Sequence, residues 1–313
     1  MSLALTLVCP GCRTRTGERL DVKTLERSAA ELVCECGRRY PIVDEVPIVL
    51  PDPAAPFVEH ELDPAAQALL VADGPDDAPY PRLVEHLSTY LDAHWGDRAA
   101  PADPMAYAMG AFVDRLAALP HVEAVVELGC SAGRIVAELA QRADHVLGLE
   151  LSLGSLRRAR RLLDGETVAF ARRMIGRHYA TATIAPGDRA VDGARRQLVC
   201  GDALDPPLIP EVYDRVVALN LLDSVARPRQ LIKVIDGLCK PGGEVILSSP
   251  FAWASHVMQE PERIGGLDPA AEVRALLGPR FTVIDEAEVP WSLRRDARSR
   301  VSYRTYWLRA RKG

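Results

Sequence analysis

The chain has 313 residues, of which 48% are hydrophobic, and a formal net charge of −5 at pH 7. This length fits two folded units at roughly 100–200 residues per domain, and the hydrophobic content excludes general disorder. No apolar run approaches the roughly 18 residues of a membrane span. The negative charge gives no general attraction to nucleic acid, although it does not exclude a local basic face.

The first eight residues are apolar, but this stretch is short and is accompanied by neither a basic segment nor a small-residue cleavage site. Such a start is unlike a secretory signal. We therefore expect a cytoplasmic protein without membrane attachment. Nothing in the sequence indicates its oligomeric state.

Four of the seven cysteines form two close pairs within the first 36 residues, Cys9 with Cys12 and Cys34 with Cys36. Two such pairs separated by a polar stretch are typical of a zinc ribbon, although the second pair is spaced CxC rather than CxxC. A module of about 50 residues has little core, so a structural zinc worth on the order of 10–16 kcal/mol would decide its folding. The alternative is a set of reduced cysteines in a cytosolic fold.

Residues 51–81 contain seven prolines, seven acidic residues and no Lys or Arg. This composition predicts a linker with one short helix after Asp63-Pro64. The N-terminal module, residues 1–50, is therefore expected to be tethered rather than fused. Residues 82–120 then predict two helices, one with apolar positions from Val84 to Trp95 and one that begins at Asp103-Pro104.

The stretch from Val125 to Arg134 predicts a strand, a glycine turn and a helix, the layout of a nucleotide-binding corner. Glu150 follows 21 residues after Gly129, at the end of a second apolar run, where a carboxylate can accept both ribose hydroxyls. A dinucleotide fingerprint would need glycines at positions 131 and 134, which hold Ser131 and Arg134. The sequence therefore predicts a nucleoside ligand without a pyrophosphate.

These features resemble the class I S-adenosylmethionine-dependent methyltransferases, whose first motif is an acidic residue followed by a glycine turn. The resemblance continues through Cys200–Ala203, where the family places an aspartate against the adenine amino group, and through the strands Val216–Asn220 and Lys240–Leu247. It implies an α/β fold with a Rossmann-like seven-stranded sheet over residues 121–313, and S-adenosylmethionine as cofactor. The implied cofactor-binding residues are Glu127, Gly129, Cys130, Gly133, Arg134, Glu150, Leu151, Asp202, Ala203 and Asn220.

The resemblance also covers the segments before the sheet. In such methyltransferases, helices like those predicted over residues 82–120 form a lid over cofactor and substrate. Residues 1–50 resemble the small zinc-ribbon partner of RNA and protein methyltransferases, which implies Cys9, Cys12, Cys34 and Cys36 as zinc ligands. Four side chains of the lid either line the pocket or form the core of a covering layer: Tyr90, His94, Trp95 and Tyr107.

Strands and helices alternate through the predicted sheet, with Ser152 expected to cap one helix and Pro228 to open another. Residues 164–196 interrupt this series with an insertion whose structure the pattern does not predict, and its arginines are typical of a solvated face. The C-terminal segment predicts a helix from Asp268 and then a hairpin. Its basic run from Trp291 to Gly313, which includes Arg294, Arg295 and Arg298, either receives an anionic group or faces solvent.

Asn220 and Asp223 lie at the carboxyl end of a predicted parallel strand, where ligands bind in such sheets. Asp223 stands too far ahead of Pro228 to cap the next helix, so its carboxylate is free for another role. Both residues are candidate catalytic residues. The alternative is a pair of side chains that stabilises a turn.

The loop Asn220–Asp223, the segment Ser248–Trp253 and the ending Glu286–Trp291 resemble the methyltransferase domain of ovothiol synthases, which methylates a mercaptohistidine ring nitrogen. The loop is also similar to protein-histidine N-methyltransferases. This implies a small-molecule or peptide substrate with an imidazole-type nitrogen, with Asp223 holding the distal N–H and Asn220 bordering the methyl group. Two alternatives stay open: an RNA base methyltransferase that holds RNA through the ribbon and the basic run, and a binding module without catalysis.

Overall fold

The computed structural model describes residues 2–16, 19–53, 79–253, 255 and 257–313. Most of the predicted linker, including the short helix expected after Asp63-Pro64, lies outside these residues. Among the helices of the described part, none combines the length and the apolar character that crossing a membrane requires.

In the described residues of the N-terminal module there are six short strands: β1 (Thr14–Thr16), β2 (Arg19–Asp21), β3 (Glu26–Ser28), β4 (Glu31–Val33), β5 (Arg39–Val43) and β6 (Val46–Pro47). β1 and β2 form one antiparallel pair, and β3 to β6 form a second sheet in sequence order.

This module is docked on the remainder of the chain. Val8 donates its backbone N–H to the carbonyl of Pro207 at 2.9 Å, and Val49 donates to the carbonyl of Cys200 at 2.8 Å. Apolar side chains of the module belong to the same buried cluster as those of the main sheet. The prediction of a tethered module was therefore wrong, because so small a unit buries its apolar surface against the larger core.

Helix α1 (Pro79–Trp95), strand β7 (Ala99–Ala100) and helix α2 (Gly110–Ala117) come next. The first helix confirms the prediction from apolar spacing. The second begins later than predicted, because the Asp103 carboxylate accepts the backbone N–H of Met105 at 2.9 Å and forms a turn instead.

The remaining strands are β8 (Val122–Leu128), β9 (Ala143–Glu150), β10 (Val168–Ile175), β11 (His178–Ile184), β12 (Arg196–Cys200), β13 (Tyr213–Leu219), β14 (Cys239–Ser249), β15 (Phe281–Asp296) and β16 (Ser299–Lys312). Seven of them form a mixed sheet in the order β12-β9-β8-β13-β14-β16-β15. The first five are parallel, and β16 and β15 form the antiparallel end. This confirms the predicted α/β fold and its seven-stranded sheet.

Four further helices connect these strands: α3 (Arg134–Leu139), α4 (Leu153–Leu163), α5 (Pro228–Leu238) and α6 (Pro269–Leu277). The Ser152 hydroxyl accepts the Ser155 N–H and caps α4, and Pro228 opens α5, as predicted. Because the first five strands of the sheet are parallel, their carboxyl ends meet at one edge.

The insertion between α4 and β12 is a hairpin of β10 and β11, extended by β7. Arg172 of this hairpin is 3% exposed and forms an ion pair with the buried carboxylate of Asp92. For Arg172, the expectation of a solvated face was therefore wrong.

Candidate functional site

A cavity of ≈ 260 Å³ lies at the carboxyl ends of the parallel strands, beneath helix α1. The residues that matter most for its chemistry come from α1, the glycine turn, the ends of β8, β9, β12 and β13, and strand β15: His86, Tyr90, His94, Glu127, Gly129, Ser131, Glu150, Leu151, Asp202, Ala203, Asn220 and Trp291. A larger cavity of ≈ 510 Å³ lies between the N-terminal module and the amino-terminal half of β12. The smaller cavity is the candidate site, because ligands of such sheets bind at the carboxyl edge.

The glycine turn after β8 contains two glycines in the left-handed region. Gly129 has a φ of 77° and Gly133 a φ of 78°. A Cβ on Gly133 would lie 2.9 Å from the Cβ of Ala159, so the turn can approach α4 only without a side chain there. Gly133 thus supports the turn through its backbone, and the cavity wall itself contains Gly129 and Ser131.

Glu150 ends β9 and holds this turn. Its Oε2 accepts the Ser131 N–H at 3.0 Å, and its Oε1 accepts the N–H groups of Leu151 at 2.8 Å and Ser152 at 2.9 Å. A carboxylate offers about four lone-pair positions, so capacity remains for a further hydrogen bond. Glu150 can therefore organise the loop and accept a hydroxyl of a ligand.

Glu127 lies deeper in the same wall and is 2% exposed. Burial, and then the nearby charge of Glu150, raise the pKa of Glu127 well above its usual value. Among the described residues, its Oε2 has no hydrogen-bond partner. An ionised Glu127 would be stabilised by a cationic group in the cavity.

The loop after β12 forms the next part of the wall. Asp202 uses its Oδ1 to accept the Leu204 N–H at 2.8 Å, and both Asp202 and Ala203 line the cavity. Leu151 lines it from the end of β9 and is 59% exposed, so its side chain offers an apolar surface to a ligand.

Asn220 follows β13 with a φ of 52° and lines the cavity. The Ser248 hydroxyl donates to Asn220 Oδ1 at 2.9 Å, which orients the amide. Its Nδ2 is buried and has no partner within the described part of the chain. Asn220 therefore presents an unused donor to the cavity.

Asp223 is placed differently from the prediction. It is 5% exposed, accepts the Ser249 hydroxyl at 3.2 Å and the Ala252 N–H at 2.9 Å, and does not belong to the cavity wall. Both carboxylate oxygens hold the loop after β14. This geometry fits the alternative of a turn-stabilising side chain and argues against contact with a substrate.

Cys130 and Arg134 also lie outside the cavity wall. The Cys130 thiol is fully buried, and its backbone N–H donates to the carbonyl of Leu149 at 3.0 Å. The Arg134 guanidinium donates to Asp97 at 2.7 Å and Glu138 at 2.8 Å. It also stacks over the rings of Trp95 and Tyr107, so these two aromatic residues belong to the covering layer.

The opposite wall is aromatic and uncharged. His86, Tyr90 and His94 of α1 line the cavity with Trp291 of β15. Burial lowers the pKa of His94 to about 3 and raises that of Tyr90 to about 12, so both are neutral near pH 7. No Lys or Arg is among the described residues that line this cavity.

Sequence reasoning missed His86, Ser131 and Trp291 as cavity residues. The spacing of His86, Tyr90 and His94 by four residues was a usable signal, since residues i and i+4 share a helix face. Trp291 lies on β15, which comes long after the parallel strands in the chain, and no local pattern indicates that it returns to this edge.

The four cysteines of the first pairs are brought together, with all sulfur atoms within 4.8 Å of one another. The Cys9 and Cys36 sulfurs are 4.0 Å apart, and those of Cys12 and Cys34 are 3.7 Å apart. A tetrahedral zinc with Zn–S bonds of about 2.3 Å separates its sulfurs by about 3.8 Å. The CxC spacing therefore does not prevent a geometry that suits zinc.

Comparison with known proteins agrees with this arrangement. Residues 126–247 match the family described as a methyltransferase domain. None of the curated proteins with which the sequence was compared matches it.

Three solved structures illustrate the similarity. The N-methyltransferase NodS of Bradyrhizobium japonicum, in complex with S-adenosyl-L-homocysteine, is 15% identical over 79% of this chain and 97% of its own, with a TM-score of 0.43. A chain of the complex between the Haloferax volcanii Trm112 methyltransferase activator and a methyltransferase is 16% identical over 81% and 99%, with a TM-score of 0.44. An S-adenosylmethionine-dependent methyltransferase of Mesorhizobium loti is 16% identical over 64% and 96%, with a TM-score of 0.41.

The family match and the seven-stranded sheet define a class I S-adenosylmethionine-dependent methyltransferase domain. The protein is an S-adenosylmethionine-dependent methyltransferase.

Proposed function

We propose that the protein N-methylates a small molecule or peptide at a neutral, imidazole-type nitrogen. The observation that carries this proposal is a set of unpartnered polar atoms around one cavity whose wall has no Lys or Arg among its described residues. These atoms are His94 Nδ1, Glu127 Oε2, Ser131 Oγ, Asn220 Nδ2 and Trp291 Nε1. Buried polar groups without partners inside the protein are suited to a ligand that supplies them.

The cofactor, when bound, supplies a methyl group on a positively charged sulfonium. In our proposal Glu150 accepts ribose hydroxyls with its remaining lone pairs, and Asp202 accepts the adenine amino group beside Leu151 and Ala203. Glu127 faces the cationic methionine part, which offsets the cost of burying its carboxylate. Gly129 and Ser131 leave room at the turn between these groups.

The acceptor wall suits an attack by an uncharged nitrogen. Neutral imidazole already dominates at pH 7, so the protein needs to orient it rather than deprotonate it strongly. With its proton on Nε2, His94 accepts the distal N–H of the substrate ring at Nδ1. A pKa of about 3 makes His94 a poor base and keeps it neutral in this role. Asn220 Nδ2 and Trp291 Nε1 then donate to polar groups beside the reacting atoms.

The same wall disfavours an RNA substrate, because phosphate recognition relies on cationic side chains. The basic C-terminal run is also largely engaged: Arg294 pairs with Asp103 at 2.7 Å, and Arg309 and Arg311 each reach Glu244 at 2.8 Å. Methylation of RNA is therefore the less favoured function, and the assay below tests it directly.

We also propose that Cys9, Cys12, Cys34 and Cys36 bind a structural zinc within a module of residues 1–50. Residues 51–81 then act as a linker, residues 82–120 cover the site, and residues 121–313 form the catalytic domain. Purified protein is expected to contain one zinc per chain, and Cys12→Ser should lose it. Cys239→Ser, outside the cluster, is the control and should keep the metal.

The acceptor is tested by methyl transfer from labelled cofactor to histidine derivatives, histidine-containing peptides and RNA in parallel. We expect labelling of a histidine-type compound and a loss of at least about tenfold in kcat/KM for His94→Ala or Asn220→Ala. Thr183→Ala, in the hairpin and outside the cavity wall, is the control. If only RNA is labelled, and RNA binding to the protein weakens steeply between about 50 and 200 mM salt, the acceptor is RNA and the proposed acceptor is wrong.

A further inference from the structure

Helix α1 presents two distinct faces. His86, Tyr90 and His94, four residues apart, form the front face toward the cavity. Ser88 and Asp92, also four residues apart, are displaced from them by two residues, or about 200° around the helix. This back face therefore points away from the cavity, and both of its side chains are buried.

The back face is held by the inserted hairpin. Arg172 of β10 donates to Asp92 from Nε at 2.9 Å and from Nη2 at 2.6 Å. The neighbouring Arg173 donates its backbone N–H to the Ser88 hydroxyl at 2.8 Å. These contacts fix both the position of the helix and its rotation about its own axis.

Arg294 joins the C-terminal hairpin to the same cluster. It is 2% exposed and donates to Asp103 at 2.7 Å and to the carbonyl of Arg173 at 2.7 Å. One of its nitrogens lies 3.5 Å from Asp92. Arg294 belongs to β15, three residues after Trp291 of the cavity wall. The cluster therefore connects α1 and β15, the two elements that supply the aromatic wall of the cavity.

We propose that Asp92, Arg172 and Arg294 are positioning residues that hold the front face of α1 and Trp291 in register over the bound cofactor. The effect on an imidazole-type acceptor rests on the function proposed above. Buried charges keep a fixed geometry only while they are paired, so removing the Asp92 charge frees the helix without altering any group in the cavity wall.

The test uses the full chain with Asp92→Asn, which keeps the side-chain volume. We expect kcat/KM for a histidine-containing peptide to fall about tenfold to a hundredfold, as a displacement near 1 Å can cause. Affinity for S-adenosyl-L-homocysteine, measured by calorimetry, should stay unchanged. Amide exchange across residues 82–95 of that complex should become faster.

Asp188→Asn is the matched control, because Asp188 forms an exposed ion pair with Arg98 at 2.9 Å near the same insertion. It should leave kcat/KM and exchange unchanged. If Asp92→Asn does not fold, Ser88→Ala removes only the neutral bond to Arg173 and should change the same quantities in the same direction.

Two results would overturn the positioning role. One is kcat/KM and amide-exchange rates in both Asp92→Asn and Ser88→Ala that match those of Asp188→Asn. The other is an affinity for S-adenosyl-L-homocysteine that falls in parallel with kcat/KM. Faster exchange in Asp92→Asn without methylation of any histidine-type probe by the unmodified protein supports the positioning role and rejects the proposed acceptor. The two proposals therefore fail separately.

Discussion

The carboxylate of Glu150 accepts the backbone N–H of Ser131 at 3.0 Å, which joins the end of β9 to the glycine turn after β8. The same side chain faces the cavity. One carboxylate thus shapes the cofactor loop and remains available to the ligand that the loop receives.

Glu150→Ala should weaken binding of S-adenosyl-L-homocysteine about tenfold to a hundredfold, because charged hydrogen bonds contribute roughly 1.5–3 kcal/mol. Isothermal calorimetry measures this directly. Glu166→Ala removes an exposed carboxylate that pairs with Arg161 and should bind normally. An unchanged affinity in Glu150→Ala would remove Glu150 from the cofactor site.

Gly133→Ala should destabilise the protein more than Gly176→Ala. Both glycines have positive φ, at 78° and 54°, so each substitution carries a backbone cost of about 1–2 kcal/mol. Only at Gly133 does the new Cβ also meet another atom, the Ala159 Cβ at 2.9 Å, whereas nothing lies within 4 Å at Gly176. Urea unfolding should show an additional loss of about 1–3 kcal/mol at Gly133; equal losses would mean that α4 yields to the added methyl group.

Arg13→Ala should reduce affinity for the cofactor product about threefold to tenfold, roughly 0.7–1.4 kcal/mol. Arg13, next to Cys12, donates to the Asp205 carboxylate and to the carbonyl of Pro206, and thereby braces the loop that contains Asp202. Arg39→Ala, which removes an exposed pair with Glu31, should bind as the unmodified protein does. Equal affinities in both variants would show that the loop keeps its shape without the contacts of Arg13.

Glu244 should make the free energy of unfolding depend on pH in the acid range. Hydrogen bonds and charges from Arg309, Arg311 and Arg215 outweigh burial and lower the pKa of Glu244 to about 2. A carboxyl with a lowered pKa in the folded state contributes its stability above the unfolded value near 4.3 and loses it as pH falls toward 2.

Glu244→Gln should therefore cost about 2–4 kcal/mol at pH 6–7, since it also leaves the buried Arg215 without its carboxylate. The difference from the unmodified protein should shrink between pH 4.5 and pH 2 in denaturant titrations. Glu260→Gln, which changes an exposed carboxylate, serves as the control. A difference in stability that is constant with pH would contradict the link between the lowered pKa of Glu244 and the stability of the protein.

The succession of parallel strands and helices along the chain could be predicted because each strand and its helix has a local apolar pattern. The hairpin of β10 and β11 could not, since its strands mix alanine with arginine and its partner β7 comes from a segment 68 residues earlier than Val168–Ile175. The start of α2 was also missed, because a local turn at Asp103 competes with the helix signal of Pro104.

At the cavity, the placement of Glu127, Gly129, Glu150, Asp202 and Asn220 could be predicted, because the carboxyl ends of parallel strands must meet. Cys130 and Arg134 were expected at the site from the family resemblance, and Asp223 from its position after a parallel strand. Instead, the Asp223 carboxylate is held by Ala252, and the Arg134 guanidinium by Asp97 from a distant segment and by Glu138 of its own helix. The Cys130 thiol is buried.

The sequence by itself determined the alternation of strands and helices, a nucleoside-type ligand and the edge where the site lies, since these depend on periodicity and on glycines at fixed spacing. The seven-stranded sheet and S-adenosylmethionine followed from the family resemblance. Only the tertiary structure decided the acceptor wall, because His94, Trp291 and the buried pair of Asp92 with Arg172 meet through contacts between segments far apart in the chain. Side-chain direction, burial and charge pairing are properties of that packing, and local pattern does not encode them.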